Sequence, residues 1–112
     1  MEFIKTIPVY FYQEESGNEP VREWLHELSS ADRKIIGKDI RIVQIDWPIG
    51  SPLVKSLGAG LWEIRSKLDN RIARILFVFH DSSIILLHGF IKKTQKTPQQ
   101  EITLAKKRAK KL

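Results

Sequence analysis

Arg65 and Arg74 are the residues of this chain best placed for chemistry. They flank Asp69-Asn70, a pair that suits a two-residue turn because both residue types tolerate left-handed backbone angles. A hairpin built on that turn pairs Leu68 with Arg71. Counting outward, Arg65 faces Arg74, Ile64 faces Ile75 and Trp62 faces Phe77. The apolar pairs share one face and the two arginines share the other. Like charges directly opposite each other destabilise a sheet. The pairing makes sense if an anion sits between the guanidiniums, or if an acid such as Glu63 offsets them. Two side chains splaying into solvent from an exposed face would also account for it. A one-residue slip would move one arginine off that face.

Lys92, Lys93 and Lys96 follow the third strand of this half, and Lys55 precedes its first; all four are placed to ring the arginine face. Arginine suits bidentate phosphate contact, whereas lysine is a point charge whose pKa falls readily beside other cations. RNA is cut without metal when its own 2′-hydroxyl attacks the adjacent phosphate. That reaction needs a base for the 2′-oxygen, cations for the pentavalent transition state and an acid for the 5′-oxygen. A Lys/Arg cluster supplies the second role, and a lysine of lowered pKa could supply the first. The histidines fit less well. His88, inside an apolar strand, reads more readily as a packed, hydrogen-bonded residue than as an acid or base. His80 falls at a turn and His26 on the polar side of a helix. Trp24, Trp47 and Trp62 fall on apolar faces and are expected in the core. Phe90 fits either the core or a base-stacking position at the cationic rim.

These residues need a sheet to hold them. Val9 to Tyr12 predicts a first strand. Pro20 fits the first turn of a helix whose stripe is Val21, Trp24, Leu25 and Leu28. Ser29-Ser30 caps a second helix with the stripe Ile36, Ile40, Val43 and Trp47, closed by Pro48, Gly50 and Pro52. Three strands follow: Trp62–Leu68, Arg71–Phe79 and Ile84–Ile91. Thr97-Pro98-Gln99-Gln100 predicts an N-cap, a proline at the first helical position and a capping-box glutamine. The helix it starts has a narrow stripe of Ile102, Ala105, Ala109 and Leu112. The order predicts an α+β domain, its antiparallel sheet packed against an N-terminal helical hairpin, with a C-terminal helix added.

One domain over residues 1–112 is expected, since 42% apolar content supports one core but not two. No apolar run is long enough to cross a bilayer, and no signal-peptide pattern opens the chain. A cytoplasmic location is the default expectation. With no cysteine and three scattered histidines, neither a metal nor another cofactor is expected. The net charge of +6 is uneven: residues 1–91 carry 11 Lys/Arg and 12 Asp/Glu, residues 92–112 carry 8 and 1. A basic block of this kind favours polyanions through counterion release, although a solvated helix face would have the same composition.

Four stretches together resemble the HigB branch of the RelE/ParE toxin superfamily, including its phage-derived relatives. They are Lys55-x-Leu57, Gly60-Leu61-Trp62-Glu63-Ile64-Arg65, Arg71-Ile72-x-Arg74-Ile75-Leu76-Phe77, and Leu87-His88-Gly89-Phe90-Ile91-Lys92-Lys93-Thr94-Gln95-Lys96-Thr97-Pro98. The resemblance covers about half the chain densely; the N-terminal half agrees in element order. It implies the toxin of a type II toxin–antitoxin pair, which enters the ribosomal A site and cleaves mRNA without metal. It also implies inhibition by a helix-turn-helix antitoxin. Carried over by motif, Arg65, Arg74 and Lys93 are the catalytic residues. Lys55, Lys67, Arg71, Phe90, Lys92 and Lys96 face RNA and ribosome. Two alternatives stand beside it: a ParE-like poison of DNA gyrase, and a non-catalytic module that binds nucleic acid or antitoxin.

Overall fold

The structure, a computed structural model, describes residues 6–112. In chain order the elements are β1 (Val9–Phe11), α1 (Pro20–Glu27), α2 (Ser30–Asp46), β2 (Val54–Gly58), β3 (Leu61–Leu68), β4 (Arg71–His80), β5 (Ser83–Lys92) and α3 (Gln99–Ala109). The predicted α+β architecture is present. The strands form one sheet in the order β1-β5-β4-β3-β2.

Two features of the sheet differ from the sequence expectation. β1 joins β5 in parallel, so the sheet is mixed rather than wholly antiparallel. Joining β5 needs a long crossover, and α1 through β4 supply it. The second difference is an extra strand, β2, paired antiparallel with β3. Its five residues, Val-Lys-Ser-Leu-Gly, make an edge with one buried side chain, too short to show a period.

The hairpin register matches the sequence count residue for residue. Trp62 pairs with Phe77, Ile64 with Ile75, Arg65 with Arg74 and Leu68 with Arg71. Asn70 takes the positive φ that its type tolerates. The β4–β5 turn uses Asp81 and Ser82, both at positive φ, as a primed turn requires.

Both faces of the sheet are covered. Ile64, Leu68, Ala73, Ile75, Phe77 and Leu86 pack on the face that meets Val21 of α1 and Ile36 and Val43 of α2. Both helices bury the stripes their spacing predicts, and the Ser29 hydroxyl accepts from the Asp32 backbone N–H as the expected cap. Trp47 meets Trp62 edge-on with ring centroids 5.0 Å apart. Leu61, Leu76, Leu87 and Phe90 lie on the opposite face, beneath Ala105, Ile102 and Ala109 of α3. Leu112, the last of the predicted stripe, is exposed. Among the described residues no helix is long and apolar enough to cross a membrane.

Gly89 lets α1 lie close to β5. A β-carbon there would sit 2.5 Å from Cε3 of Trp24, well inside van der Waals contact. Gly89→Ala is therefore expected to cost about 1–3 kcal/mol through overpacking, read as a lower urea midpoint. Unchanged stability would mean that the Trp24 ring can move aside freely.

Candidate functional site

The arginine face is set by strand alternation. Glu63, Arg65 and Lys67 leave β3 on one side, and Arg74 lies opposite Arg65 on β4. The segment between β5 and α3 crosses over this side, and that corrects one expectation. Arg74 is not on an exposed face: it is fully buried. Arg65 keeps 17% of its side chain exposed.

Glu63 is also fully buried, and it offsets the paired charges. Arg65 Nε donates to Glu63 Oε1 at 2.6 Å, and the Thr97 hydroxyl donates to Glu63 Oε2 at 2.6 Å. The Gln95 carbonyl accepts from both arginines, from Arg65 Nη2 at 2.7 Å and from Arg74 Nη1 at 3.1 Å. Arg74 Nη1 also lies 3.4 Å from the Thr97 hydroxyl oxygen. Arg74 Nε and Nη2 are buried and have no hydrogen-bond partner among the described residues. One carboxylate, bonded to Arg65 alone, thus offsets two neighbouring guanidiniums, leaving one positive charge in excess and two donor nitrogens of Arg74 unmatched. Desolvation lowers the Arg74 pKa from its ordinary value; Glu63 opposes that shift and Arg65 adds to it. Arginine stays protonated nonetheless, so the cluster is a permanent cation held out of water.

Thr97 explains a second departure. The sequence predicts it as the cap of α3, but the helix starts at Gln99 with Pro98 in the cap position and no side-chain cap bond. The Thr97 hydroxyl serves Glu63 instead, because a buried carboxylate left short of donors costs more than a frayed, solvated helix end.

The lysines spread around the cluster. Lys55 is exposed and opposite Glu63 in register. Lys92 is half-buried at the end of β5, and Lys93 and Lys96 are exposed on the crossing segment. Lys67 is exposed beside Arg65.

Two residues expected at an RNA-facing rim lie elsewhere. Phe90 is packed under α3 with its ring 5.4 Å from that of His88, so it is core rather than a free stacking platform. Arg71 leaves β4 on the α1–α2 side, where its guanidinium meets Asp32 at 2.9 Å. Strand alternation from Arg74 could have excluded it. His88 is the packed residue expected: its Nε2 lies 3.0 Å from Glu101, and its Nδ1 lies 3.5 Å from Arg108, which donates to the Leu87 carbonyl. His88 thus ties α3 to β5.

What sequence reasoning missed is the part played by Gln95 and Thr97. Neither type at its spacing signals a contact with a strand 30 residues earlier.

The fold and this cluster define a small α+β domain whose sheet carries a shielded pair of arginines ringed by lysines. Residues 23–110 match the family model described as phage-derived protein Gp49-like (DUF891). The chain belongs to that family, which is a RelE-like toxin family. No curated protein matches the sequence.

Proposed function

We propose that this protein is a HigB-like toxin of a type II toxin–antitoxin pair, and that it cleaves mRNA in the ribosomal A site. The observation that carries the reading is the arginine pair: two guanidiniums bridged by the Gln95 carbonyl, only Arg65 bonded to the Glu63 carboxylate, and Arg74 Nε and Nη2 lacking an acceptor among the described residues. Such a site is built for an additional anion. A phosphate oxygen can replace the Gln95 carbonyl, which already sits between the two arginines.

In this reading the 2′-oxygen attacks phosphorus, the P–O5′ bond breaks, and a 2′,3′-cyclic phosphate forms. Arg65 and Arg74 hold the charge that develops on the phosphoryl oxygens. Lys93 takes the 2′-proton, water protonates the departing 5′-oxygen, and Lys55, Lys92 and Lys96 hold the flanking phosphates. Lys67 extends that rim. A helix-turn-helix antitoxin restrains the protein in the cytoplasm by covering this cationic face.

The test is mRNA cleavage in a purified translation system, mapped by primer extension with and without ribosomes. Codon-phased, ribosome-dependent cuts are expected. Cleavage on preassembled ribosome–mRNA complexes is also expected to survive replacement of magnesium by exchange-inert cobalt(III) hexammine, because the side chains themselves supply the cations. Loss of cleavage on ribosomes that sedimentation shows to be intact would sink the metal-free step. Intact mRNA with active protein would turn the reading to gyrase poisoning or to a non-catalytic binding module.

A further inference from the structure

We propose that the pocket between α2 and the open edge of β3 is a nucleobase site that selects guanine beside the cleaved phosphate. The proposal rests on the reading of the chain as an RNA-cleaving toxin and adds to it a substrate preference and a residue that sets it.

The pocket has a volume of about 310 Å³, at the small end of the range of roughly 300–1,000 Å³ for small-molecule sites. Pro52, Leu53 and Ile72 give it apolar walls, and Arg65, Lys67 and Gln95 lie on its cationic side. Asp39 of α2 closes it with a half-buried carboxylate. Among the described residues Asp39 has no salt-bridge partner. Arg65 belongs both to this pocket and to the cluster with Glu63 and Gln95. A nucleotide whose phosphate meets Arg65 therefore has its base within reach of the pocket.

The edge of the sheet adds polar groups. β2 pairs with β3 only as far as Val54 opposite Ile64, and the Leu53 carbonyl accepts from the Arg65 backbone N–H. Beyond that point Lys67 has no residue of β2 beside it. Strand alternation turns its peptide N–H and C=O to the same side as those of Arg65, toward the pocket.

These groups discriminate among bases. A carboxylate only accepts, and it offers two oxygens side by side. Guanine presents two parallel donors, N1–H and N2–H, on its Watson–Crick edge. Adenine, cytosine and uracil each present a single donor group there, so each leaves one Asp39 oxygen unmatched. Single-stranded RNA is read on this edge once its bases are splayed out. The apolar walls accept the ring faces, and the cationic side accepts the phosphate.

Two measurements test the proposal. First, 5′-GMP, 5′-AMP, 5′-CMP and 5′-UMP are titrated into 15N-labelled protein. GMP is expected to move the Asp39 and Lys67 amide signals at the lowest concentration. Second, cut sites are sequenced for wild type and Asp39→Asn, a near-isosteric change. Wild type is expected to favour cuts next to guanine, and the variant to lose roughly tenfold of that bias, the scale of one bidentate base contact. Equal shifts with all four nucleotides, or a guanine bias unmoved in Asp39→Asn, would overturn the site while leaving cleavage standing. Selective GMP shifts in a protein that cuts no mRNA would keep the site and overturn the toxin's proposed chemistry instead. Neither selective shifts nor cleavage would overturn both.

Discussion

Replacing Arg65 with alanine is expected to lower mRNA cleavage by about two to three orders of magnitude, the usual effect of removing one preorganised donor from a transition-state site. The domain should remain folded but less stable, because Glu63 loses its ion pair with Arg65. Arg65 keeps part of its side chain in solvent, and its loss leaves Glu63 bonded to Thr97, with Arg74 as counter-charge. Arg74 is a poorer probe. Its side chain is fully buried, so Arg74→Ala opens a cavity and leaves Glu63 facing Arg65 alone. Lost activity there would not separate chemistry from folding. Arg65→Lys sharpens the test, since lysine keeps the charge but loses the planar fork that reaches Glu63 and Gln95 together. The comparison requires matched circular dichroism and matched ribosome occupancy. A folded Arg65→Ala protein that cuts at the wild-type rate would remove Arg65 from the reaction.

The hairpin was legible because its information is local. Asp69-Asn70 fixes the turn, and a period of two then fixes every pair from Leu68/Arg71 to Trp62/Phe77. The stripes of α1 and α2 were legible for the same reason, through spacings of three and four. Glu63 was recognisable as a candidate for the offsetting acid, one of the accounts the facing arginines allowed beside a bound anion and splaying into solvent. Burial of Arg74 was not recognisable. It depends on the path of Lys93 to Pro98, which has no periodicity, across a face that alternation alone would leave open to water. Thr97 shows the same limit: a threonine before proline satisfies the rules for a helix cap, and only the position of a distant carboxylate decides otherwise. The parallel placement of β1 likewise depends on where the chain returns after its long crossover.

The cluster joins this covering segment to the sheet, which makes it a determinant of stability as well as a candidate reaction site. Gln95 and Thr97 hold the arginines and Glu63 from above, so their bonds help fix the segment that carries Lys93 and Lys96. A phosphate that competes for the arginines also competes with that attachment. Binding and local opening of the segment would then be coupled, and the unmatched Arg74 donors favour the exchange because they have no acceptor to lose.

Glu63→Gln should be strongly destabilising for so conservative a change. It preserves shape but removes, among the described residues, the one negative charge within hydrogen-bond range of Arg65, which also lies beside Arg74. It also places an amide donor where an acceptor met either Arg65 Nε or the Thr97 hydroxyl, each at 2.6 Å. Breaking a buried ion pair from one side costs about 3–5 kcal/mol, against a total stability of about 5–15 kcal/mol for an ordinary domain. A fall in Tm on the order of 15 °C follows. The double variant Glu63→Gln with Arg74→Met separates charge from shape. Methionine is apolar and flexible enough to fill the space Arg74 leaves, and it removes the buried cation that Glu63→Gln strands. If uncompensated charge is the cause, the double variant recovers much of the lost stability, although it changes two side chains instead of one. If it is no more stable than Glu63→Gln alone, the loss comes from the broken Thr97 and Arg65 hydrogen bonds. Glu63 would then serve to anchor the covering segment rather than to balance the arginines.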